Sequence, residues 1–536
     1  MNANTVRSRA LISAAVLSGA LVSGGWLVER GLLGGSAAVG TGTDGARLYE
    51  EVFQHVKREY VDTLTDSVLF VNSVQGLVGE LHDPHSSYLS PQTLARLSET
   101  TSGLYAGVGA QIDVRDGWIT IVAPLPGGPA LASGVRTGDR IIEVNGAPMK
   151  NITVEEAQKA LRGAPGSKVR LAVERPGIAT RLNFDLTRRE IRVHSVQHAT
   201  LLANGVGYVA LTVFSEQSAP DLRLAVDSLL RAGAHSLLLD LRSDPGGLLD
   251  QGVGVADLFL DPGQAIVSMR GRTPDANRSY ADRAPQAWPT LPIAVLVDSN
   301  TASAAEIVAG ALQDHDRALL LGTTTYGKGS AQNVFPTEDG GAVKLTTALW
   351  YTPSGRSINR RPIEENPTAP DTTAKPLQTY RTDAGRVVLG GGGITPDVII
   401  PTPGITAADS ALGQALGNHV PQFQDALTDY ARSLEGTHAI ASPDFVVTPA
   451  MRGELLRRLR SRGVKVDSAA YDRAAPTVDR VLGDAVARYV FSDDAAFARR
   501  LRSDSMVARA VAIEAGATTP AELLRRAPAS PAQKPR

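Results

Sequence analysis

Two side chains capable of nucleophilic chemistry stand in the stretch from Pro292 to Gln332, PIAVLVDSNTASAAEIVAGALQDHDRALLLGTTTYGKGSAQ. Ser303 opens a helix-like run after a buried-strand pattern at Ile293 to Val297. Lys328 lies in a glycine-rich turn after a second apolar run, Ala318 to Leu321. A hydroxyl at a helix N-terminus gains from the positive end of the dipole and from free backbone N–H groups, and both suit an attacking oxygen and a developing oxyanion. A lysine takes a hydroxyl proton only when neutral, a state that burial favours by penalising the ammonium. Gly327 and Gly329 allow close packing around Lys328, and Tyr326 can help to desolvate it. Each residue also has a plain structural reading. Ser303-Ala304-Ala305-Glu306 fits a capping box, and Lys328 fits an exposed turn. Spacing alone does not show that the two meet.

Other chemistries fit less well. Gly322 to Lys328 satisfies G-x-x-x-x-G-K, but Gly329 follows where a phosphate loop needs Ser or Thr for magnesium, and Ser330 to Pro336 reads extended rather than helical. A Ser-His-Asp design would draw on His82, His85 or His315, yet no G-x-S-x-G elbow sequence accompanies Ser303. No His/Asp/Glu cluster has metal-ligand spacing, and His82-Asp83-Pro84-His85 reads as a turn in which Asp83 bonds backbone. Asp244-Pro245-Gly246-Gly247 lies between the strand pattern SLLLDLRS and a helix. Its glycines could aim N–H groups outward as an oxyanion hole does, or form an ordinary turn.

The elements that must carry these residues form an α/β region from Val193 to about Ile400. Strands such as GVGYVAL, SLLLDLRS and PIAVLVD alternate with helices, and their unbroken apolar runs imply a largely parallel sheet covered on both faces. Glu364 to Arg386 is polar and reads as a surface insertion. Residues 102–188 instead show short strands split by Gly, Pro and Asn turns and one helix, Val154 to Leu161, as expected of a compact β-rich module. Residues 46–101 are helical, with Leu48, Val52, Val56 and Tyr60 at helical spacing and a second helix at Val68 to Leu81. Residues 404–526 read as a helical domain and 527–536 as a disordered tail.

Across 536 residues the formal net charge is −1, which gives no electrostatic reason to expect nucleic acid, and the absence of cysteine removes disulfides, thiolate metal sites and a cysteine nucleophile. Arg7 and Arg9 precede the uncharged apolar stretch Ala10–Val28, and a Gly/Ala/Thr linker follows at 34–45. Residues 1–45 therefore read as a signal peptide or membrane anchor plus linker, with Ser36-Ala37-Ala38 as the candidate cleavage site and the anchor favoured.

Taken together, LHDPHSSYLSP, YAGVGAQI, SGVRTGDRIIEVNG, LRGAPGSKVRL, LDLRSDPGGLLD, DSNTASAAEIVAGALQD, GKGSAQ, YTPSGRSI and GGGITPDV resemble, in order, the carboxyl-terminal processing (tail-specific) serine proteases. The resemblance spans roughly Ala46 to Ile400. It implies a multidomain α/β chain with a PDZ domain (102–188) before a ClpP/crotonase-like protease core (189–403), flanked by helical regions. It further implies Ser303 as nucleophile, Lys328 as general base and Gln332 as its orienting residue. Backbone N–H groups of Ala304 and of Gly246 or Gly247 would form the oxyanion hole, with Asp314 as a support. Tyr105, Ala106, Gly107, Val108, Gly109 and Ala110 would receive a peptide C-terminus, and Arg162 would couple that module to the site. The expected partners are polypeptides with accessible C-termini, with an adaptor protein and a homodimer both compatible. No cofactor or metal is implied, and the expected location is extracytoplasmic, in a bacterial periplasm or cell envelope. A catalytically silent PDZ scaffold is the alternative, which intact Ser303, Lys328 and Gln332 disfavour. The chain departs from the family in SDPGG, where two asparagines are usual, in Thr323-Thr324-Thr325-Tyr326, which lacks an arginine, and in Asn359, where glutamine is common.

Overall fold

The computed structural model describes residues 42–360 and 378–527, apart from positions 126, 176, 177 and 179. The expected signal or anchor, its cleavage site, the first part of the 364–386 insertion and residues 528–536 lie outside the described residues. Among the described residues, no helix is long and apolar enough to cross a membrane.

The described residues divide into two compact units, one ending at Tyr88 and the other beginning at Leu89. In the first, α1 (Gly42–Glu59) and α2 (Asp66–Gly79) follow the two helical patterns, α1 starting inside the stretch expected as linker. Thr65 caps α2 by accepting the Val68 N–H, and Phe53 stacks on Phe70 with ring centroids 4.6 Å apart. In the HDPH turn Asp83 Oδ1 accepts the His85 N–H at 3.0 Å, the backbone-bonding role expected of that aspartate.

The second unit opens with α3 (Pro91–Ser102) and continues into the β-rich module. Its elements are β1 (Leu104–Gly107), β2 (Ala110–Arg115), β3 (Trp118–Pro124), α4 (Pro129–Ala132), β4 (Arg140–Val144), β5 (Ala147–Pro148), α5 (Val154–Leu161), β6 (Lys168–Glu174), β7 (Leu182–Thr187) and β8 (Arg189–Arg192). One antiparallel sheet runs β2-β3-β4-β6-β7 with β5 on β4, while β1 pairs with β8. Alternate residues Ile119 and Ile121, Val169, Leu171 and Val173 face a common core with Ile141, Val144 and Leu161. The Thr153–Glu156 capping box starts α5 where the sequence places it.

From residue 196 the chain runs β9 (Val196–Leu201), β10 (Val206–Leu211), α6 (Ser218–Arg231), β11 (Ser236–Asp240), α7 (Leu249–Asp257), β12 (Ala265–Gly271), β13 (Arg278–Ala281), β14 (Ile293–Val297), α8 (Ala304–Asp314), β15 (Leu319–Gly322), β16 (Ser330–Pro336), β17 (Ala342–Tyr351), β18 (Thr379–Arg381), β19 (Val387–Leu389) and β20 (Val398–Ile399). The central sheet has the order β9-β10-β11-β14-β15-β20, with β9 antiparallel and the rest parallel. In a second, antiparallel sheet β17 pairs with β12 and β16, and β12 pairs with β13. The end of the expected insertion is ordered, because β18 and β19 form a hairpin.

The unbroken apolar strands are covered on both faces. Val209, Leu211, Leu237, Leu239, Val295 and Leu320 face the side of α6, α7 and α8, which supply Leu222, Val255 and Val308. Val206, Tyr208, Leu238, Leu296, Leu319 and Leu321 face Leu501, Met506, Val507, Ala510 and Leu523 from the last three helices, α14 (Asp493–Ser503), α15 (Ser505–Glu514) and α16 (Pro520–Leu524). The C-terminal region is thus not one helical domain. Helices α9 (Ala407–Leu416), α10 (Val420–Ser433), α11 (Pro449–Ser461), α12 (Ser468–Arg473) and α13 (Ala475–Val486) build their own core around Phe423, Tyr430, Leu455, Leu459, Tyr471 and Leu482, whereas α14–α16 cover the central sheet.

That lid over the sheet carries a titratable group. Glu514 of α15 is fully buried, and neither carboxylate oxygen has a hydrogen-bond partner among the described residues. Burial pushes its carboxyl up to about 8, with the neighbouring Ser236 hydroxyl acting in the opposite direction. The native state then holds a proton that the unfolded chain releases near its ordinary value. This group therefore costs stability progressively as pH rises from the ordinary carboxyl range to about 8. Thermal melts should show wild type losing about 2–4 kcal/mol from this site between pH 5 and pH 8, a slope that Glu514→Gln removes. Parallel pH dependence in the two proteins would refute this.

Candidate active site

Three turns leave the carboxyl ends of the adjacent parallel strands β11, β14 and β15, where open α/β sheets place their sites. The first carries Gly246 and Gly247, the second Ser303, and the third Lys328.

Strand β14 ends at Val297, and the chain turns through Asp298 to Ser303 before α8 begins. Asp298 Oδ1 accepts the N–H groups of Ser243, Asn300 and Thr301. The Thr301 hydroxyl, wholly buried, donates to the Leu241 carbonyl at 2.8 Å, and the Thr301 carbonyl accepts the Tyr326 N–H at 2.9 Å. Thr301 thereby ties the second turn to both others. Ser303 has φ 56° and ψ −118°, a conformation that L-residues rarely adopt and that costs on the order of 1–3 kcal/mol. It is a sharp strand-to-helix elbow of the kind that can present a side chain for attack, although the sequence lacks the G-x-S-x-G signature.

Glu306 connects the Ser303 turn to the Lys328 turn. Its fully buried carboxylate accepts the Ser303 N–H at 2.8 Å and the Lys328 N–H at 3.0 Å on Oε2, and the Gly327 N–H at 2.7 Å and the Thr325 hydroxyl at 2.5 Å on Oε1. Two amides bonded to one oxygen lie within about 6 Å of each other, so the Ser303 and Lys328 backbones are neighbours. Burial pushes the Glu306 carboxyl upward, and its four donors pull it back. Lys328 itself is half-buried between buried Gly327 and Gly329. The Asn359 side-chain oxygen accepts the Gly329 N–H at 3.1 Å, and the Gly327 carbonyl accepts the Arg360 N–H at 2.9 Å, which fixes the turn from outside.

Gln332 follows on β16, opposite a bulge in β17 where Thr347 is the extra residue between the pairs Ala331–Ala348 and Gln332–Thr346. Its amide nitrogen donates to the hydroxyls of Ser330 at 2.9 Å and Thr346 at 3.2 Å.

The diglycine turn meets the elbow closely. A Cβ on Gly246 (φ 87°) would lie 2.6 Å from the Ala302 carbonyl oxygen and 2.8 Å from both the Ala304 nitrogen and Ser303 Cβ. One on Gly247 would lie 2.1 Å from the Phe214 carbonyl oxygen. Only glycine permits this approach. The Gly246 N–H, however, donates to Asp244 Oδ1 at 2.7 Å. Of the two candidate donors in this turn, the Gly246 N–H is thus already engaged, and Gly247 is the other.

Asp314 and His315 are not brought to this site. They lie at the other end of α8, a helix about 16 Å long. Asp314 is ion-paired with buried Arg356 at 2.7 Å and accepts the Ser354 N–H, while His315 bonds Asp383 and the Ala265 carbonyl.

In the β-rich module, Tyr105, Ala106 and Gly107 lie on β1, Val108 and Gly109 form the following loop, and Ala110 begins β2. Gly109 has φ 72°, and the Val108 carbonyl accepts the Ala130 N–H at 2.8 Å. Strand β2 is the edge of its sheet, so its outer side is open to an added strand. Arg162 lies over the Tyr105 ring, 5.5 Å from its centroid, and is ion-paired with Glu99 of α3.

The sequence points to Ser303, Lys328 and the glycines through residue type and turn chemistry. It does not point to Thr301, Asp298 or Thr325. Glu306 is visible only as the acidic end of a capping box.

Residues 205–373 match the family model described as peptidase family S41, and residues 100–174 match that of the PDZ domain. The chain is 35% identical over 330 residues to "Carboxy-terminal processing protease CtpA" of Bacillus subtilis, covering 62% of this chain and 70% of that protein. It is 37% identical over 314 residues to "Carboxy-terminal-processing protease" of Bartonella bacilliformis, covering 58% of this chain and 71% of that protein.

Proposed function

The chain belongs to the carboxy-terminal processing proteases of peptidase family S41, and from that premise we propose how its own residues divide the work. It is a serine endopeptidase with a PDZ domain ahead of the protease core. Ser303 is the nucleophile and neutral Lys328 the base. As Ser303 Oγ bonds to the scissile carbonyl carbon, its proton passes to Lys328 Nζ and the carbonyl electrons move onto oxygen. The N–H groups of Gly247 and Ala304 hold that oxyanion. The carbonyl reforms as the C–N bond breaks, and Lys328 gives its proton to the departing amine. Lys328 then takes a proton from water, whose oxygen attacks the acyl ester, and returns it to Ser303. Gln332, fixed by Ser330 and Thr346, orients the lysine. The observation that carries this assignment is the single Glu306 carboxylate bonded to both the Ser303 and the Lys328 amides.

The PDZ domain takes the substrate tail: the loop Tyr105 to Ala110 meets the terminal carboxylate, and β2 pairs with the tail as an added strand. Arg162 relays occupancy of that groove to the protease. We also place the enzyme outside the cytoplasm, tethered by residues 10–28, as the apolar stretch behind Arg7 and Arg9 suggests.

The test is a pair of unfolded polypeptides with the same apolar tail, one ending in a free carboxylate and one amidated. The free tail should be cleaved with at least about tenfold higher kcat/KM, most of it in KM. Equal cleavage of the two would remove C-terminal recognition from the reading while leaving the dyad standing.

A further inference from the structure

The first turn holds an acid that the mechanism does not use. The Asp244 side chain is wholly buried two residues before Gly246. Its Oδ1 accepts the Gly246 N–H at 2.7 Å, and its main-chain carbonyl accepts the Ala302 N–H at 2.9 Å, one residue from the nucleophile. Its Oδ2 is buried with no hydrogen-bond partner among the described residues. An ionised carboxylate cannot sit comfortably there, because a bare charged oxygen in a dry site is far more costly than a neutral carboxyl.

Most of the charged groups on the elements around it are engaged elsewhere. At the end of β11, Asp240 is paired with Arg242. On the second turn, Asp298 binds backbone N–H groups, and on α8 Glu306 binds its four donors. Asp250 lies in the first turn of α7, and Lys328 belongs to the third turn, where it carries the base role. Asp244 has no ion pair with any of them.

We propose that Asp244 is a proton-sensitive positioning residue of the oxyanion hole. As the neutral acid it holds Gly246 in the turn that presents Gly247, and its ionisation sets a negative charge beside the developing oxyanion and slows acylation. The inference rests on the proposed role of Ser303. Burial pushes the Asp244 carboxyl up to about 8, with the Gly246 N–H pulling back, so the transition falls in a range where the enzyme can be assayed. The sign is opposite to that of Lys328: neutral lysine is favoured as pH rises, neutral Asp244 as pH falls.

The experiment is the pH profile of kcat and kcat/KM from pH 5 to 10 on a free-tailed substrate, for wild type, Asp244→Asn and Asp244→Ser. Asparagine keeps an acceptor for Gly246 and cannot ionise; serine is smaller and also uncharged, and serves if the asparagine variant does not fold. Wild type should show an alkaline limb falling about tenfold per pH unit, carried by kcat. In the uncharged variants that limb should be absent. Superimposable alkaline limbs, or a wild type with no fall up to pH 10, would overturn the proposal. Ser303→Ala run alongside separates the two levels: activity surviving in it would instead overturn the role of Ser303.

Discussion

Ser303→Ala and Lys328→Ala should each lower kcat/KM by on the order of 10^4-fold or more, and the double variant should be no worse than either single one. The reason is that the two act as one unit. Without the hydroxyl there is no acyl-enzyme, and without the amine the hydroxyl stays protonated and is a poor nucleophile. The non-additivity is the discriminating part, because two independent contributors would multiply their losses. Ser303→Ala should still bind a free-tailed peptide, since the PDZ groove is untouched. Cleavage above about 1% of wild type by purified Ser303→Ala, or multiplicative losses in the double variant, would sink the dyad. Ser303→Gly adds a second reading of the same site. Glycine adopts φ 56°, ψ −118° without the clash of a Cβ, so this variant should be as inactive as alanine yet about 1–3 kcal/mol more stable in a melt. A glycine variant no more stable than alanine would show that the elbow stores no strain.

Much of this arrangement can be read from the chain, and what cannot has a common physical cause. The Thr153–Glu156 box places α5 at its observed residues because a cap and the helix it starts are neighbours in sequence. Ser303-x-x-Glu306 reads the same way, and the local half is there: Glu306 reaches back to the Ser303 N–H. Its other partners, Thr325, Gly327 and Lys328, arrive because β15 lies beside β14, and no local pattern encodes that. The apolar strands likewise show that both sheet faces are covered. They do not show that Leu501, Met506 and Val507, far along the chain, cover one of them, since a buried face selects its cover by shape and volume. In the sequence Asp244 is only a departure from the family's asparagines; that complete burial favours its uncharged form is not legible there, because burial is a property of the fold.

Glu306→Ala should cost at least about 3 kcal/mol of stability and on the order of 10^3-fold in kcat/KM, although Glu306 touches no substrate. Removing the carboxylate strands three backbone N–H groups and the Thr325 hydroxyl in a buried site, and each unsatisfied donor there costs about 1–3 kcal/mol. Water entering the vacated space can recover part of that, which is why the expected minimum loss lies just below the lower end of the sum. The activity loss follows from geometry. The carboxylate sets the distance between the elbow and the lysine turn, and a misplacement of about 1 Å in a reacting group costs roughly 10^2-fold. Here two reacting groups lose their common anchor. Glu306→Gln is the sharper variant. All four partners donate toward the carboxylate, so an amide must turn its own NH2 against either the Ser303 and Lys328 pair or the Gly327 and Thr325 pair. The isosteric change should therefore fall much nearer to alanine than to wild type in both the melt and kcat. Near-wild-type activity in Glu306→Gln would mean that the turns hold themselves and that the shared carboxylate is incidental. A loss confined to the melt, with kcat intact, would assign Glu306 to folding and leave the alignment of Ser303 with Lys328 to Thr301 and its bonds to Leu241 and Tyr326.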